Sequence, residues 1–241
     1  MLDLGRYVRI SLVLLGGTAP LSVAIGRRYG FTAGRRFGMA MGGNLLVQEA
    51  LVGLAARRAN RRTGHELGLV DVMTLSRGAT AALLGGLAAS GVRDRRGLAG
   101  WMGWLGVLYG AILCDWLDGP IARHTATSEL GEVLDREADS WLTLCTALAA
   151  VRWGGLPRAV LAPPLMRYAF LLDGMRRAPY ATLHGGEPSW VRQQGIAQML
   201  LFIASLAPFG GRVTRRVVCV AAPIQVPLQL GGLLLQRRRE R

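Results

Sequence analysis

Apolar, uncharged segments recur along the chain at residues 10–26, 78–92, 97–114, 140–151, 193–211 and 217–236, and most of them end at arginines. A bilayer span takes about 20 residues, so several of these segments reach span length only by including polar ends. Polar ends are expected where helices carry a site at the membrane interface. The pattern predicts an all-α fold: a polytopic membrane helix bundle with six core transmembrane helices plus one or two N-terminal helices. The core helices are expected at about 69–91, 98–123, 131–151, beyond Pro157, 193–209 and 217–236. Trp153-Gly-Gly-Leu-Pro157 marks the turn from the third into the fourth.

The first 65 residues stand apart. Arg6 and Arg9 precede the apolar run from Ile10 to Gly26, which resembles a secretory signal. No small-x-small cleavage site closes that run and Arg27-Arg28 follows directly, so a retained helix is expected. A second segment at about 38–56 carries Asn44, Gln48 and Glu49. If both crossed the membrane, Arg27, Arg28, Arg35 and Arg36 would face outward, against the preference for basic residues inside. At least one interfacial helix is therefore expected. The polar hinge 57–66 separates an N-terminal membrane-associated helical extension, residues 1–65, from a core domain, residues 66–241.

Charge sharpens the picture. Twenty-nine basic against 15 acidic residues give a net charge of +14, and every basic residue is arginine. The arginines cluster at the ends of apolar segments, as in Arg57-Arg58, Arg61-Arg62 and Arg237-Arg238-Arg239. That is the distribution of anchors facing anionic membrane lipid. No basic stripe with interleaved aromatics is present, which argues against a nucleic-acid partner. With six core spans, segments 57–66, 123–130, 175–192 and 237–241 fall on one side, the cytoplasmic one, and together hold most of the loop arginine, while 93–96 and 212–216 hold a minority opposite. The expected location is the cell inner (cytoplasmic) membrane, multi-pass, with the acidic motif facing the cytoplasm. Cys114, Cys145 and Cys219 are far apart in apolar segments and form neither a metal spacing nor a disulfide framework.

The chemistry concentrates between residues 115 and 139. Asp115 and Asp118 are three apart and Asp135 and Asp139 four apart, so each pair shares one helical face. Four converging carboxylates repel one another unless positive charge lies between them. An all-oxygen ligand set suits hard cations such as Mg²⁺ or Mn²⁺. The spacing predicts a site for two ions, with Asp115, Asp118, Asp135 and Asp139 as ligands. Pro120 denies Trp116 a backbone hydrogen bond and predicts a kink beside the ligands. Glu129, Glu132 and Glu137 fall off the ligand face and are expected to meet solvent or arginine. Farther along, Arg167 stands inside an apolar segment, where arginine is costly and signals function. It is a candidate for binding the acceptor, with a pair to Asp173 or snorkelling to the interface as the alternatives.

Asp115-x-x-Asp118-Gly119-x-x-Ala122-Arg123 followed by Gly131-x-x-x-Asp135-x-x-x-Asp139 resembles the signature of the CDP-alcohol phosphotransferase (CDP-alcohol phosphatidyltransferase) family, integral membrane enzymes of phospholipid synthesis. All eight fixed residues are present, although the seven residues between Arg123 and Gly131 are one fewer than the resemblance leads one to expect. Asp71-x-x-Thr74-x-x-Arg77 is similar to an Asn-x-x-Thr-x-x-Arg run on the family's first helix, with aspartate where asparagine is commoner. The resemblance implies transfer of a phosphatidyl (phospho-alcohol) group from a CDP-alcohol, such as CDP-diacylglycerol, to a small hydroxyl acceptor with release of CMP. It implies Asp139 as the general base and Thr74, Arg77, Gly119, Ala122, Arg123 and Gly131 around the CDP-alcohol. It also implies a homodimer.

Two other readings fit a helical membrane bundle. Membrane polyprenyl transferases also pair Asp-x-x-Asp motifs with magnesium, but do not require Gly119, Ala122-Arg123 and Gly131 at these offsets. A non-enzymatic membrane protein, such as a transporter, a scaffold or an inactive relative, would tolerate Asp135→Asn or Asp139→Asn. Arg167, Arg176, Arg177 and Arg192 lean toward a phosphorylated acceptor.

Overall fold

The computed structural model describes residues 4–59, 69–91, 129–177, 189–207 and 212–239, with the single positions 106 and 110. Among the described residues the secondary structure is entirely helical. No described helix is long and apolar enough to cross a membrane. The chain divides into two compact units, Met1–Cys145 and Thr146–Arg241.

The first unit opens with two long helices, α1 (Leu4–Tyr29) and α2 (Phe31–Ala59). Gly30 joins them at φ +99, a conformation glycine reaches without strain. Its amide closes α1 onto the Gly26 carbonyl at 2.9 Å. The two helices run antiparallel in close contact because their facing residues are small. A Cβ added at Gly34 would lie 2.7 Å from Gly26 Cα, and one at Gly38 would lie 2.7 Å from Ser22 Oγ. The Ser22 hydroxyl donates to the Gly34 carbonyl at 2.7 Å. The expected extension is thus a helical hairpin.

Helix α3 (Leu69–Ser90) covers the first expected core helix almost residue for residue. It packs on α2 through another stripe of small residues. Gly78, Ala81, Ala82, Gly85 and Gly86 recur at helical spacing and are all buried. Against them α2 presents Phe37, Met41, Leu45 and Gln48, also buried. A Cβ at Gly86 would fall 2.9 Å from Met41 Cβ. A bulky face on one helix over a small face on the other brings the axes close.

Helix α4 (Glu129–Ala149) realises the expected third helix. Its buried Ala138, Leu142, Cys145 and Ala149 repeat at four, three and four residues. At Gly85 three helices meet, for an added Cβ would touch Asn44 Nδ2 at 2.7 Å and Cys145 Sγ at 3.3 Å. The expected second core helix, 98–123, lies outside the described residues apart from positions 106 and 110.

In the second unit α4 runs into a π-helical turn, Ala150–Gly154, ended by Gly155 at φ +77. Pro157 then starts a 3₁₀ turn, Arg158–Leu161, that leads into α5 (Ala162–Arg177). This is the turn that Trp153-Gly-Gly-Leu-Pro157 predicts. Pro163 and Pro164 sit in the first turn of α5, where a missing N–H costs nothing. Helices α6 (Ser189–Leu206) and α7 (Arg212–Arg239) pack on each other, and α5 packs on α7.

Candidate functional site: two aspartates on one guanidinium

Arg77 sits in the middle of α3 and is 0% exposed. A guanidinium cannot shed its charge, so burial demands anionic partners. They come from α4. Arg77 Nη1 donates to Asp139 Oδ1 at 2.7 Å, and Nη2 donates to Asp135 Oδ1. The two carboxylates are one helical turn apart, so both arms of the planar fork are used at once. The side chains of Asp135 and Asp139 remain 43% and 47% exposed. The cation is therefore sealed in, while its acids open outward.

The shared face expected of Asp135 and Asp139 is thus present, and positive charge does lie between them. It is an arginine, a partner the spacing of the acids alone does not name. A signal for it exists in the sequence, since an arginine within the apolar run after residue 69 needs a counter-charge somewhere. Thr74 stands one turn before Arg77 in α3, and Gly131 one turn before Asp135 in α4. Asp115, Asp118, Gly119, Ala122 and Arg123 lie outside the described residues. Among the described residues no group of three or more His, Cys, Asp or Glu side chains comes together.

Three further residues refine the picture. Glu137 is 3% exposed, so of the two surroundings expected for it, solvent and arginine, solvent is removed. Gln48 of α2, 6% exposed, lies over Gly78, the residue after Arg77. The hairpin therefore covers the turn of α3 that carries the guanidinium. Arg167 lies in α5 of the second unit, half-buried, with Nη2 shielded from solvent.

Among the described residues, a helical fold thus holds one buried arginine under two outward-opening aspartates. The comparison with known families is specific. The model of the CDP-alcohol phosphatidyltransferase family matches residues 69–228, more than half of the chain, and the protein belongs to that family. The match begins at the first residue of α3 and takes in Arg77, Asp135 and Asp139. No curated protein and no solved structure matches the chain. Membership supports phosphatidyl transfer from a CDP-alcohol in lipid biosynthesis, and the family is generally dependent on divalent metal. The donors present fit such an ion: two carboxylate oxygens, one turn apart, already converge on a single positive group.

Proposed function

We propose that the protein is an integral membrane transferase that moves a phosphatidyl group from CDP-diacylglycerol, or a similar CDP-alcohol, to a small hydroxyl acceptor, releasing CMP. The observation that carries this reading is the convergence of Asp135 and Asp139 on Arg77 inside the family domain. Two Mg²⁺ or Mn²⁺ ions, held by Asp115, Asp118, Asp135 and Asp139, would polarise the diphosphate and neutralise charge on the departing CMP. Asp139 takes the proton of the attacking hydroxyl. Arg123 binds phosphate oxygens, for which a guanidinium fork is suited, and Arg77 would join it only where an ion takes Asp135 and Asp139 from its two arms. Thr74, Gly119, Ala122 and Gly131 line the nucleotide, small residues allowing its close approach. Arg167 is the candidate for a phosphorylated acceptor.

A multi-pass location in the cell inner membrane, with the site facing the cytoplasm, follows from the arginine distribution. The exposure pattern of α7 supports a lipid surrounding. Val217, Val220, Ile224 and Leu228 are 52–61% exposed along one stripe, whereas the Gln225 side-chain carbonyl oxygen is buried. Val218, Ala222 and Val226 are buried on the other side, so the helix is apolar on both its packed and its exposed faces, as a helix that meets lipid is. A homodimer is part of the same reading, on family resemblance.

The test is CMP release from CDP-diacylglycerol by purified protein with Mg²⁺ and a panel of acceptors: glycerol 3-phosphate, an inositol phosphate, serine and a second lipid. Release that needs both Mg²⁺ and one acceptor supports the proposal. Folded protein that releases no CMP with any of them favours an inactive relative. Release with serine but not with phosphorylated acceptors removes the role given to Arg167.

A further inference from the structure

We propose that the paired faces of α6 and α7 form a binding site for a small uncharged polyol, held by the side-chain amides of Gln194, Gln198, Gln225 and Gln229. The site lies within the second unit and does not depend on the transferase reading. Two ties fix the antiparallel register of these helices. At one end Gln229 Nε2 donates to the Gln194 backbone carbonyl at 3.1 Å. At the other, both helices meet the π-helical turn: a Cβ on Gly154 would lie 2.9 Å from Ser205 Cβ, and Cys219 Sγ is 3.9 Å from the Gly155 carbonyl oxygen. Antiparallel helices advance by equal steps in opposite directions, so one turn along from the first tie Gln198 stands level with Gln225. The four glutamines make two layers about 6 Å apart.

Three of these four amides carry buried atoms without a partner. Gln198 is 2% exposed, and neither its Oε1 nor its Nε2 has a hydrogen-bond partner among the described residues. Oε1 of Gln194 and Oε1 of Gln225 are also buried without one. A buried amide left unpaired costs more than an apolar side chain of the same shape. Four such atoms in adjacent layers point to an occupant rather than to packing.

The atoms specify what the occupant offers. Three are carbonyl oxygens and one is an amide nitrogen, so the ligand brings mainly donors and at least one acceptor. Hydroxyl groups do both. The four side chains carry no charge, so an ionic ligand would be buried there without compensation. Hydroxyls distributed over several carbons match the spacing between the two layers.

The experiment follows thermal unfolding of the full chain in detergent while glycerol, sorbitol or myo-inositol is titrated at millimolar concentration. Molar polyol stabilises any protein by exclusion, so only a saturating rise counts. One of the three should give that rise in the wild type and in Gln193→Leu, an exposed neighbour on α6. Gln198→Leu should melt higher than the wild type without polyol and need at least about tenfold more polyol for half-saturation. No saturating rise with any polyol overturns the proposal, since the seam then holds water or pairs with itself. An equal response in Gln198→Leu overturns it as well. If Gln198→Leu does not fold, Gln225→Leu carries the same comparison.

Discussion

Arg77 Nη1 lies 2.7 Å from Asp139 Oδ1, while the other arm of the same guanidinium holds Asp135. One cation thus answers two acids, which repel each other, so each acid is worth less while the other is present. Removing Arg77 leaves two carboxylates side by side. Removing one acid leaves the arginine still paired. Arg77→Gln should therefore destabilise the protein more than Asp139→Asn does. A double-mutant cycle between them, read by thermal unfolding, should give a coupling of about 1–3 kcal/mol, moderated by the exposure of the acids. A coupling near zero would mean that the contact contributes nothing to the fold.

The same pair makes a prediction about metal. A divalent ion held by Asp135 and Asp139, as proposed, would compete with the Arg77 guanidinium for the same carboxylate oxygens. Arg77→Gln should bind Mn²⁺ about tenfold more tightly than the wild type, measured by the loss of the free-ion electron paramagnetic resonance signal. Its turnover should fall, because the phosphate loses a guanidinium. Asp139→Asn should lose both Mn²⁺ affinity and turnover. Unchanged Mn²⁺ binding in Arg77→Gln would mean that the ions bind away from Asp135 and Asp139.

What the sequence makes legible follows from where information is local. Helix positions and the pairing of Asp135 with Asp139 on one face are set by spacing within a single segment, and both can be read from the order of residues alone. So can the turn at Gly155 and Pro157, because glycine and proline impose their own backbone angles. Arg77 facing those acids is a contact across 58 and 62 residues, which no local period encodes. The role of Gln48 is hidden for the same reason. It marks a polar position on α2, but only the three-dimensional fold places it over Gly78. Asp115 and Asp118 carry the strongest sequence signal and lie outside the described residues, so their place in the site rests on the motif.

Glycines in the first unit offer a sharp contrast. At Gly86 an added methyl would sit 2.9 Å from Met41 Cβ and 3.1 Å from the Phe37 ring, so α2 and α3 would have to move apart. Gly86→Ala should cost about 1–3 kcal/mol. Gly42, in the middle of α2, has nothing within 4 Å of its missing Cβ. Gly42→Ala should instead stabilise by about 0.5–1 kcal/mol, because alanine loses less backbone freedom in a helix. Thermal unfolding of the two variants checks both signs. Equal effects would show that the α2–α3 contact is looser than described.

The hairpin itself supplies the last test. The family match begins at residue 69, which would suggest that residues 1–59 are dispensable. The packing argues otherwise. Phe37 is 0% and Leu45 2% exposed, and α3 meets this helix at Gly78, Gly85 and Gly86, which bring no side chain of their own to the contact. Phe37→Ala should cost about 3–5 kcal/mol. A chain beginning at residue 60 should fail to give a cooperative unfolding transition in detergent, and co-expression of residues 1–59 as a separate fragment should restore it. A truncated chain that unfolds cooperatively and releases CMP at the wild-type rate would make the hairpin an appendage. The Arg77–Asp139 contact would then need no support from Gln48 or from any other part of α2.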